Sequence, residues 1–291
     1  MQNPYFLAEK FKNYLAEILR TLPFIAQHPE LLLPLSGGKF LRAQLIFSLS
    51  ESFQSSASSP YPAAAAVELI HTATLLHDDL IDRGERRRGT PTVWKAHGTE
   101  TAVLLGDWLM LQALEQLTLT HRIELISEFT QQLMRVCSAE ILQEIETRPS
   151  PPDREEQWAI CKTIAREKTG ALFAFSAVSG APKNSPKPLI NALRESGFKV
   201  GTAYQLADDL IDTLDREETT GKSAGTDAAR KKLTAASCPT QSRPNILNEI
   251  NVLLAEATQL LTPWPNQQNA MGEYIARTIQ PFLDSYFSAE K

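Results

Sequence analysis

The sequence predicts an all-α fold, and three observations support this prediction. Apolar residues recur at helical spacing over most of the chain, for example between residues 102 and 119 and between 123 and 145. Runs that alternate apolar and polar residues between turn signals, which would predict β-strands, are missing from the sequence. Pro, Gly and Ser concentrate in four short stretches, at residues 55–62, 148–153, 181–188 and 237–245.

The segments between these stretches predict about eight to ten helices, several of them near 20 residues or longer. The first carries Phe11, Tyr14, Leu15 and Ile18 on one face. The next contains AAAAVELIHTATLLH, residues 63–77, which is apolar almost throughout. Two amphipathic helices follow, and a further apolar stretch, GFKVGTAYQLA, occupies residues 197–207.

The composition excludes several classes of protein. With 291 residues, of which 43% are hydrophobic, the chain can bury a sizeable core, and its formal net charge of −5 argues against a general nucleic-acid binder. The three cysteines show no CxxC spacing, which fits a reducing compartment without a disulfide framework. No apolar run reaches the roughly 18 residues of a membrane span, and the N-terminal residues lack the apolar block of a signal peptide. We therefore expect a cytoplasmic protein that does not bind nucleic acid.

One short pattern recurs and predicts a metal site. The letters DDLID occur at residues 78–82 and again at 208–212, and each copy ends an apolar helical stretch. On a helix, residues four apart lie on one face with Cβ atoms roughly 5–6 Å apart, and carboxylates at a helix C-terminus oppose the macrodipole. A divalent cation would reverse that penalty, and Mg²⁺ prefers carboxylate and phosphate oxygens. We predict that the metal site uses six aspartates: Asp78, Asp79, Asp82, Asp208, Asp209 and Asp212. The alternative is a pair of solvated acidic helix ends, which the repetition makes the weaker interpretation.

Basic residues near the two acidic sets would complete a site for a diphosphate. Lysine and arginine side chains are the groups that phosphate oxygens bind. Taken singly, each of them would be interpreted as a solvated surface residue, and Arg83 and Arg86 are assigned that role here. The candidates are Lys39 and Arg42 after Gly37 and Gly38, Arg87 and Arg88 after the first acidic set, Lys168 beside Thr169, and Lys222 and Lys232 after the second set.

In combination, these motifs resemble those of the trans-isoprenyl diphosphate synthases, also called polyprenyl synthetases. The motifs are GGKFLR, IHTATLLHDDLID, RRGTPT, AVLLGDWL, EILQ, EKTGALF, AYQLADDLID and GKSAGTDAARKKLT. They run from residue 37 to residue 234, about two thirds of the chain. The resemblance implies an isoprenoid-synthase-type helical bundle around a central active-site cavity, formed by a single domain over residues 1–291, usually as a homodimer. It leaves peripheral membrane contact during product release open.

The resemblance also implies roles for individual residues. It places the diphosphate of isopentenyl diphosphate on Lys39, Arg42, His71 and Arg88. It assigns Asp78 and Asp82 to Mg²⁺ on the allylic diphosphate and Asp208 to a further Mg²⁺, with about three ions per active site. The residues that would hold the allylic substrate are Arg87, Lys168, Thr169, Gln205, Lys222 and Lys232. Of these, Lys168, Thr169 and Gln205 are the candidate catalytic residues.

The implied reaction requires no protein nucleophile. The allylic diphosphate ionises, and charge grows on the leaving group, where pre-placed cations stabilise the transition state. The double bond of isopentenyl diphosphate then attacks the allylic cation, and a proton leaves. The neutral oxygens of Thr169 and Gln205 could stabilise the cation without reacting. For Gln205 the alternative is a satisfied polar residue inside the bundle, and for Thr169 it is a bond to the preceding helical turn.

The product length is predicted from the residues upstream of Asp78. One and two turns before it lie Ala73, Thr74 and Ile70, and in this family a large aromatic residue at this level blocks elongation. Because Ala73 and Thr74 are small, we expect an all-trans polyprenyl diphosphate longer than C20. The alternatives are a short-chain farnesyl or geranylgeranyl diphosphate synthase, in which another residue such as Trp108 closes the tunnel.

Several departures from the family pattern keep two other functions open. Phe40 replaces a basic residue, Trp94 replaces a histidine, and Lys231 replaces a glycine. A class I terpene cyclase would use a similar acidic trigger but needs no isopentenyl site, and a non-catalytic partner subunit would typically lack some aspartates. Glu68 and His71 also form an ExxH motif of di-iron proteins, but that motif should occur twice, and only His71 among the five histidines fits it.

Overall fold

The computed structural model consists almost entirely of α-helices, which confirms the predicted fold class. It describes residues 4–32, 38–53, 59–146, 154–212, 234–238 and 241–287. The long helices expected from the sequence are present, and four of them have 20 or more residues. Numbered in chain order, the helices are α1 (Pro4–Arg20), α2 (Leu41–Glu51), α3 (Tyr61–Ile81), α4 (Val93–His97), α5 (Thr99–Thr118), α6 (Ile123–Glu146), α7 (Arg154–Ala165), α8 (Ala171–Ser179), α9 (Lys187–Asp212), α10 (Arg243–Gln259), α11 (Pro265–Tyr274) and α12 (Gln280–Phe287).

Short elements connect some of these helices. A π-helical turn, Arg166–Gly170, joins α7 to α8, and a second, Ile275–Ile279, joins α11 to α12. One antiparallel pair of two-residue strands, β1 (Arg86–Arg87) and β2 (Thr90–Pro91), follows α3. The sequence did not predict this pair, because two residues are too few to show a strand periodicity.

Helix α3 lies at the centre of the helical assembly. It packs mainly against α5 and also contacts α2 and α8. Its first half is buried on every side, including the run Ala63–Ala66, and this explains why the sequence there is apolar throughout. Even so, no helix within the described ranges combines the length and the apolar character that crossing a membrane requires.

Glycines allow α9 to approach the helix formed by the π turn and α8 very closely. A Cβ atom on Gly201 would lie 2.6 Å from the Cα atom of Gly170, and one on Gly197 would lie 2.5 Å from the carbonyl oxygen of Phe173. Larger residues at these positions would separate the two helices. This contact brings Thr169, in the π turn, within hydrogen-bond reach of Gln205 on α9.

Candidate active site

The described residues enclose a cavity of about 530 Å³, into which the ends of several helices point. Its walls come from α2, α3, α6, α7, the π turn after α7, α8, α9 and α12, together with the β1–β2 hairpin. The predicted site residues found along this cavity are Lys39, Arg42, His71, Thr74, Asp78, Asp79, Asp82, Arg87, Arg88, Lys168, Thr169, Gln205, Asp208, Asp209 and Asp212. Three further predicted residues, Gly37, Lys222 and Lys232, lie outside the described part of the chain.

In the first acidic set, the outer and middle aspartates have different surroundings. Asp78 and Asp82 lie one turn apart at the end of α3 and line the cavity. Asp79 is buried, and the Nε and Nη2 atoms of Arg87 donate to both of its carboxylate oxygens at 2.8–2.9 Å. Burial raises the pKa of Asp79, and the bonds from Arg87 oppose that rise. For Arg87, burial works to lower the pKa, but the carboxylate outweighs it and raises the value.

The β1–β2 hairpin presents Arg87 and Arg88 to the cavity. Arg87 pairs with Thr90 across a two-residue turn, Arg88-Gly89, whose φ angles of 51° and 77° are both positive, as a type I′ turn requires. Gly89, the glycine of the motif RRGTPT, is therefore suited to the positive φ angle that this turn requires. Trp94, which departs from the family pattern, bonds to the segment that leads into the hairpin. Its indole N–H donates to the carbonyl oxygen of Gly84 at 2.8 Å.

In the second acidic set, the middle aspartate bonds to neutral donors. Asp209 accepts a hydrogen bond from the side-chain amide of Gln205 at 2.7 Å and another from the backbone N–H of Ala235 at 2.8 Å. The hydroxyl group of Thr169 donates to the side-chain oxygen of Gln205. A continuous chain of bonds therefore connects the π turn, α9 and the residues that follow Thr234. Asp208 and Asp212 line the cavity on either side of it.

Lys168 projects from the π turn against helix α6. Its ammonium group lies 2.7 Å and 2.8 Å from the two carboxylate oxygens of Glu140 and 3.3 Å from the side-chain oxygen of Gln143. Burial alone would lower the pKa of Lys168, but the negative charges of Asp78, Glu140 and Asp82 outweigh burial and raise it above its ordinary value. Lys168 therefore carries a positive charge at neutral pH.

A basic wall lies at the start of α2. The ammonium group of Lys39 lies 4.4 Å from the centre of the Phe282 ring, and the Arg42 guanidinium lies 5.0 Å from that of Phe173. Arg42 is only 7% exposed, and within the described residues its Nε atom is a buried donor that makes no hydrogen bond. Burial, followed by the charges of Arg42, Arg87 and Arg88, lowers the pKa of His71 well below its ordinary value. His71 is therefore neutral at pH 7 and can offer this wall an N–H donor, but not a charge.

The predicted chain-length residues separate in the structure. Thr74 lines the cavity, whereas Ala73 and Ile70 are fully buried in the core between α3 and its neighbours. The apolar residues along the cavity include Leu75 on α3, Val136 on α6 and Leu172 on α8.

Several cavity residues were missed by the sequence interpretation. Glu68, Glu140, Gln143 and Tyr204 line the cavity, whereas Arg86, assigned above to the surface, is exposed at its rim. A signal for two of them was available, since Glu140 and Gln143 lie three residues apart in the motif EILQ and therefore share a helix face. Glu68 lies eleven residues, or three helical turns, before Asp79 on the cavity face of α3.

The arrangement fits a metal that is held only partly by protein. Among the described residues, no three Asp, Glu, His or Cys side chains converge as they would around an ion coordinated by protein alone. Mg²⁺ typically takes one or two carboxylates, keeps several waters and completes its shell with substrate phosphate oxygens. The outer aspartates of both sets have the required chemistry, and the basic residues around the same cavity could bind the phosphates.

These features define a class of protein, namely a helical bundle in which two aspartate sets and several basic residues surround one cavity. The family model described as "Polyprenyl synthetase" matches residues 30–259, and the chain belongs to this family. Its sequence is 36% identical over 204 residues to a (2E,6E)-farnesyl diphosphate synthase of Mycobacterium tuberculosis, a match that covers 68% of this chain but only 55% of that protein.

Solved structures share the fold over nearly the whole chain. A polyprenyl synthase from Caulobacter crescentus, complexed with calcium and isoprenyl diphosphate, is 26% identical, with a TM-score of 0.74 over 92% of this chain and 94% of that one. A geranyltranstransferase from Thermotoga maritima is 24% identical, with a TM-score of 0.79 over 97% and 98% of the two chains. The predicted isoprenoid-synthase-type bundle is therefore confirmed.

Proposed function

We propose that this protein condenses isopentenyl diphosphate with an allylic prenyl diphosphate, giving an all-trans polyprenyl diphosphate and inorganic diphosphate. The observation that carries the proposal is that both aspartate sets and nine of the predicted basic and polar site residues line one cavity. Family membership and the relatives' names support the same reaction class. We propose Mg²⁺, at about three ions per site, as the metal.

The chain's own residues divide the work between two diphosphates. Lys39, Arg42 and Arg88 supply positive charge for isopentenyl diphosphate, and neutral His71 supplies a donor. Arg87 and Lys168 face the allylic diphosphate, and their charges stabilise the leaving group as its C–O bond breaks. Bound Mg²⁺, held by Asp78, Asp82 and Asp208, would add Lewis-acid stabilisation to the same leaving group.

The allylic cation also needs a surrounding that does not react with it. The oxygens of Thr169 and Gln205 are fixed by their mutual hydrogen bond, so they can face the cation as neutral dipoles. Apolar Leu75, Val136 and Leu172 keep water away from the chain that grows past them. The isopentenyl double bond forms the new C–C bond, and loss of a proton restores a double bond.

The test is turnover of the purified chain alone. Radiolabelled isopentenyl diphosphate with dimethylallyl, geranyl, farnesyl or geranylgeranyl diphosphate should give labelled, acid-labile prenyl diphosphates, and EDTA should abolish their formation until Mg²⁺ is restored. Cyclised hydrocarbon formed from an allylic diphosphate alone would identify a terpene cyclase instead. Complete inactivity of the properly folded chain with every primer would favour a non-catalytic subunit.

We further propose that the product is longer than C20, although the Mycobacterium tuberculosis relative carries the name of a shorter product. The support is that no aromatic residue lies one turn before Asp78, where Thr74 and Leu75 face the cavity. Thr74→Phe should shorten the product, with chromatographic sizing as the measurement. Ala73→Phe tests the same level, but Ala73 is fully buried, and overpacking there costs about 1–3 kcal/mol of stability. Unchanged product length in both variants would move the determinant elsewhere.

We also propose that the protein forms a homodimer through α5 and α6. These two helices expose a row of apolar residues: Val103, Leu104, Leu111, Leu114, Met134, Ile141 and Ile145. Leu104 and Leu111 are 67% and 65% exposed and lie seven residues apart, on one face of α5. Sedimentation analysis should give a dimer, and the double variant Leu104→Glu, Leu111→Glu should shift it to the monomer.

A further inference from the structure

Helix α2 begins at the basic wall of the cavity without a local cap. Phe40 occupies the N-cap position in a left-handed conformation, with φ of 49°, and its side chain cannot accept a hydrogen bond. The first N–H groups of a helix have no partner within the helix and need an acceptor from elsewhere. Lys39 and Arg42 lie at this end of α2, so its position decides where their charges stand.

The acceptor comes from a different helix. Glu68 on α3 is 5% exposed, and its Oε1 atom accepts the backbone N–H of Ala43 at 3.0 Å. The backbone N–H of Arg42 also faces the Glu68 carboxyl group and opposes the rise in its pKa that burial causes. At the same end of the helix, the hydroxyl of Tyr274 donates to the carbonyl oxygen of Leu41 at 2.9 Å. Two side chains from other helices therefore hold the first turn of α2.

We propose that Glu68 is a positioning residue that caps α2 from α3 and thereby fixes Arg42 for isopentenyl diphosphate. The proposal rests on the function proposed above and deepens it. Because Glu68 and Asp79 lie on the same face of α3, the cap also sets the distance between the basic wall and the first aspartate set. This contact is the structural connection between the two substrate subsites.

A rival role for Glu68 is that of a counter-ion for buried Arg42, and the two roles require different chemistry. A cap needs an oxygen at the right reach, which the amide of glutamine retains. A counter-ion needs negative charge, which aspartate retains although it is one methylene shorter. Burial raises the pKa of Glu68, while the charge of Arg42 and the backbone N–H groups of Ala43 and Arg42 oppose that rise.

The experiment compares Glu68→Gln with Glu68→Asp and Glu68→Ala. We expect the KM for isopentenyl diphosphate to rise about tenfold in the Asp and Ala variants and to stay within about threefold of wild type in the Gln variant. The KM for the allylic substrate should change little in all three. Ser176→Ala, which removes a fully buried hydroxyl away from the cavity, controls for a general loss of packing.

Binding of isopentenyl diphosphate without Mg²⁺, followed by calorimetry, gives a readout that needs no turnover. A Gln variant as impaired as the Ala variant, or an Asp variant that behaves as wild type, would overturn the cap. If the Ala variant does not fold, the Gln and Asp pair still decides. A wild-type chain that neither binds isopentenyl diphosphate nor turns it over contradicts the proposed function itself, which is a different failure.

Discussion

The two aspartate sets are identical in their letters and different in their connections. Both spell DDLID, both end a long helix, and both send their outer carboxylates to the same cavity. The middle aspartates differ. Asp79 forms a two-point ion pair with Arg87 of the hairpin, whereas Asp209 accepts bonds from the neutral amides of Gln205 and Ala235.

This difference shows that one motif contains two kinds of aspartate. The outer residues offer oxygens to whatever occupies the cavity, and the middle residue ties its helix to the element that completes that side of the site. On the α3 side that element is the hairpin with its charged Arg87. On the α9 side Asp209 bonds to the backbone of Ala235, and through Gln205 of its own helix it is connected to Thr169 in the π turn. The sequence repeats because the outer geometry repeats, while the middle residues adapt to different neighbours.

Neutralising the outer aspartates should have the largest effect. Asp78→Asn and Asp208→Asn should each lower kcat by about 10²–10³-fold, because each would remove a proposed ligand of the cation that we expect to stabilise the leaving diphosphate. Steady-state kinetics at saturating Mg²⁺ measure this. Glu115→Gln, on the exposed face of α5, is the matched charge control and should leave kcat unchanged. Full turnover in either aspartate variant would remove that carboxylate from the metal site.

Neutralising the middle aspartate of the first set should have the second largest effect. Asp79→Asn leaves the Arg87 guanidinium without its carboxylate, and breaking a buried ion pair on one side costs about 3–5 kcal/mol of stability. We expect a lower midpoint in urea unfolding and a kcat/KM reduced by about tenfold or more.

Arg87→Lys sharpens this expectation, because lysine keeps the charge but loses the two-point geometry. The double variant Asp79→Asn, Arg87→Lys should be less impaired than the sum of the single effects, since the two residues act as one unit. Additive effects in this cycle would show that the ion pair does not organise the hairpin.

Neutralising the middle aspartate of the second set should have a smaller effect. In Asp209→Asn one amide oxygen must replace two carboxylate oxygens, so one of the two donors, Gln205 or Ala235, loses its acceptor. The two donors are neutral, but the acceptor is a carboxylate, and a hydrogen bond to a charged group contributes about 1.5–3 kcal/mol, less than breaking the buried ion pair of Asp79. The fall in kcat/KM should therefore be smaller than in Asp79→Asn, and an equal or larger fall would contradict this ranking of the two middle aspartates.

Much of the site could be predicted from sequence because its parts lie close together along the chain. Helix periodicity places Asp78 and Asp82 on one face of an apolar helix, and Lys168 and Thr169 are consecutive residues of one motif. The prediction that the two acidic sets lie close together required only that α3 and α9 end at the same cavity. The fold class followed from the same periodicity.

The remaining parts depend on tertiary contacts that no local pattern encodes. In the sequence, Glu68 is an isolated charged residue in an apolar helix. Only the position of α2 shows that its carboxyl group accepts the backbone N–H of Ala43. Ala73 and Thr74 are neighbours in sequence, but Ala73 faces the core and Thr74 faces the cavity. The rotation of α3 about its own axis in the packed structure decides which residue faces the cavity.

The smallest effect is expected in the pH dependence of folding stability, in which the two sides of the site also differ. His71 lies on α3, whereas α9 contains no histidine. Because burial and the nearby arginines lower its pKa in the folded state, the unfolded chain binds a proton on His71 as pH falls below about 6.5, and the folded chain does not. The stability that neutral His71 contributes is therefore present above that pH and is lost as pH falls, by at most about 1.4 kcal/mol per pH unit.

Urea unfolding between about pH 7.5 and 5.5, which spans the range in which histidine titrates, measures this effect. The free energy of unfolding should depend less steeply on pH in His71→Gln than in wild type. His121→Asn, at an exposed histidine outside the cavity, is the control variant. Equal slopes in wild type and His71→Gln would place the acid sensitivity on other groups and leave the two sides of the site alike in this respect.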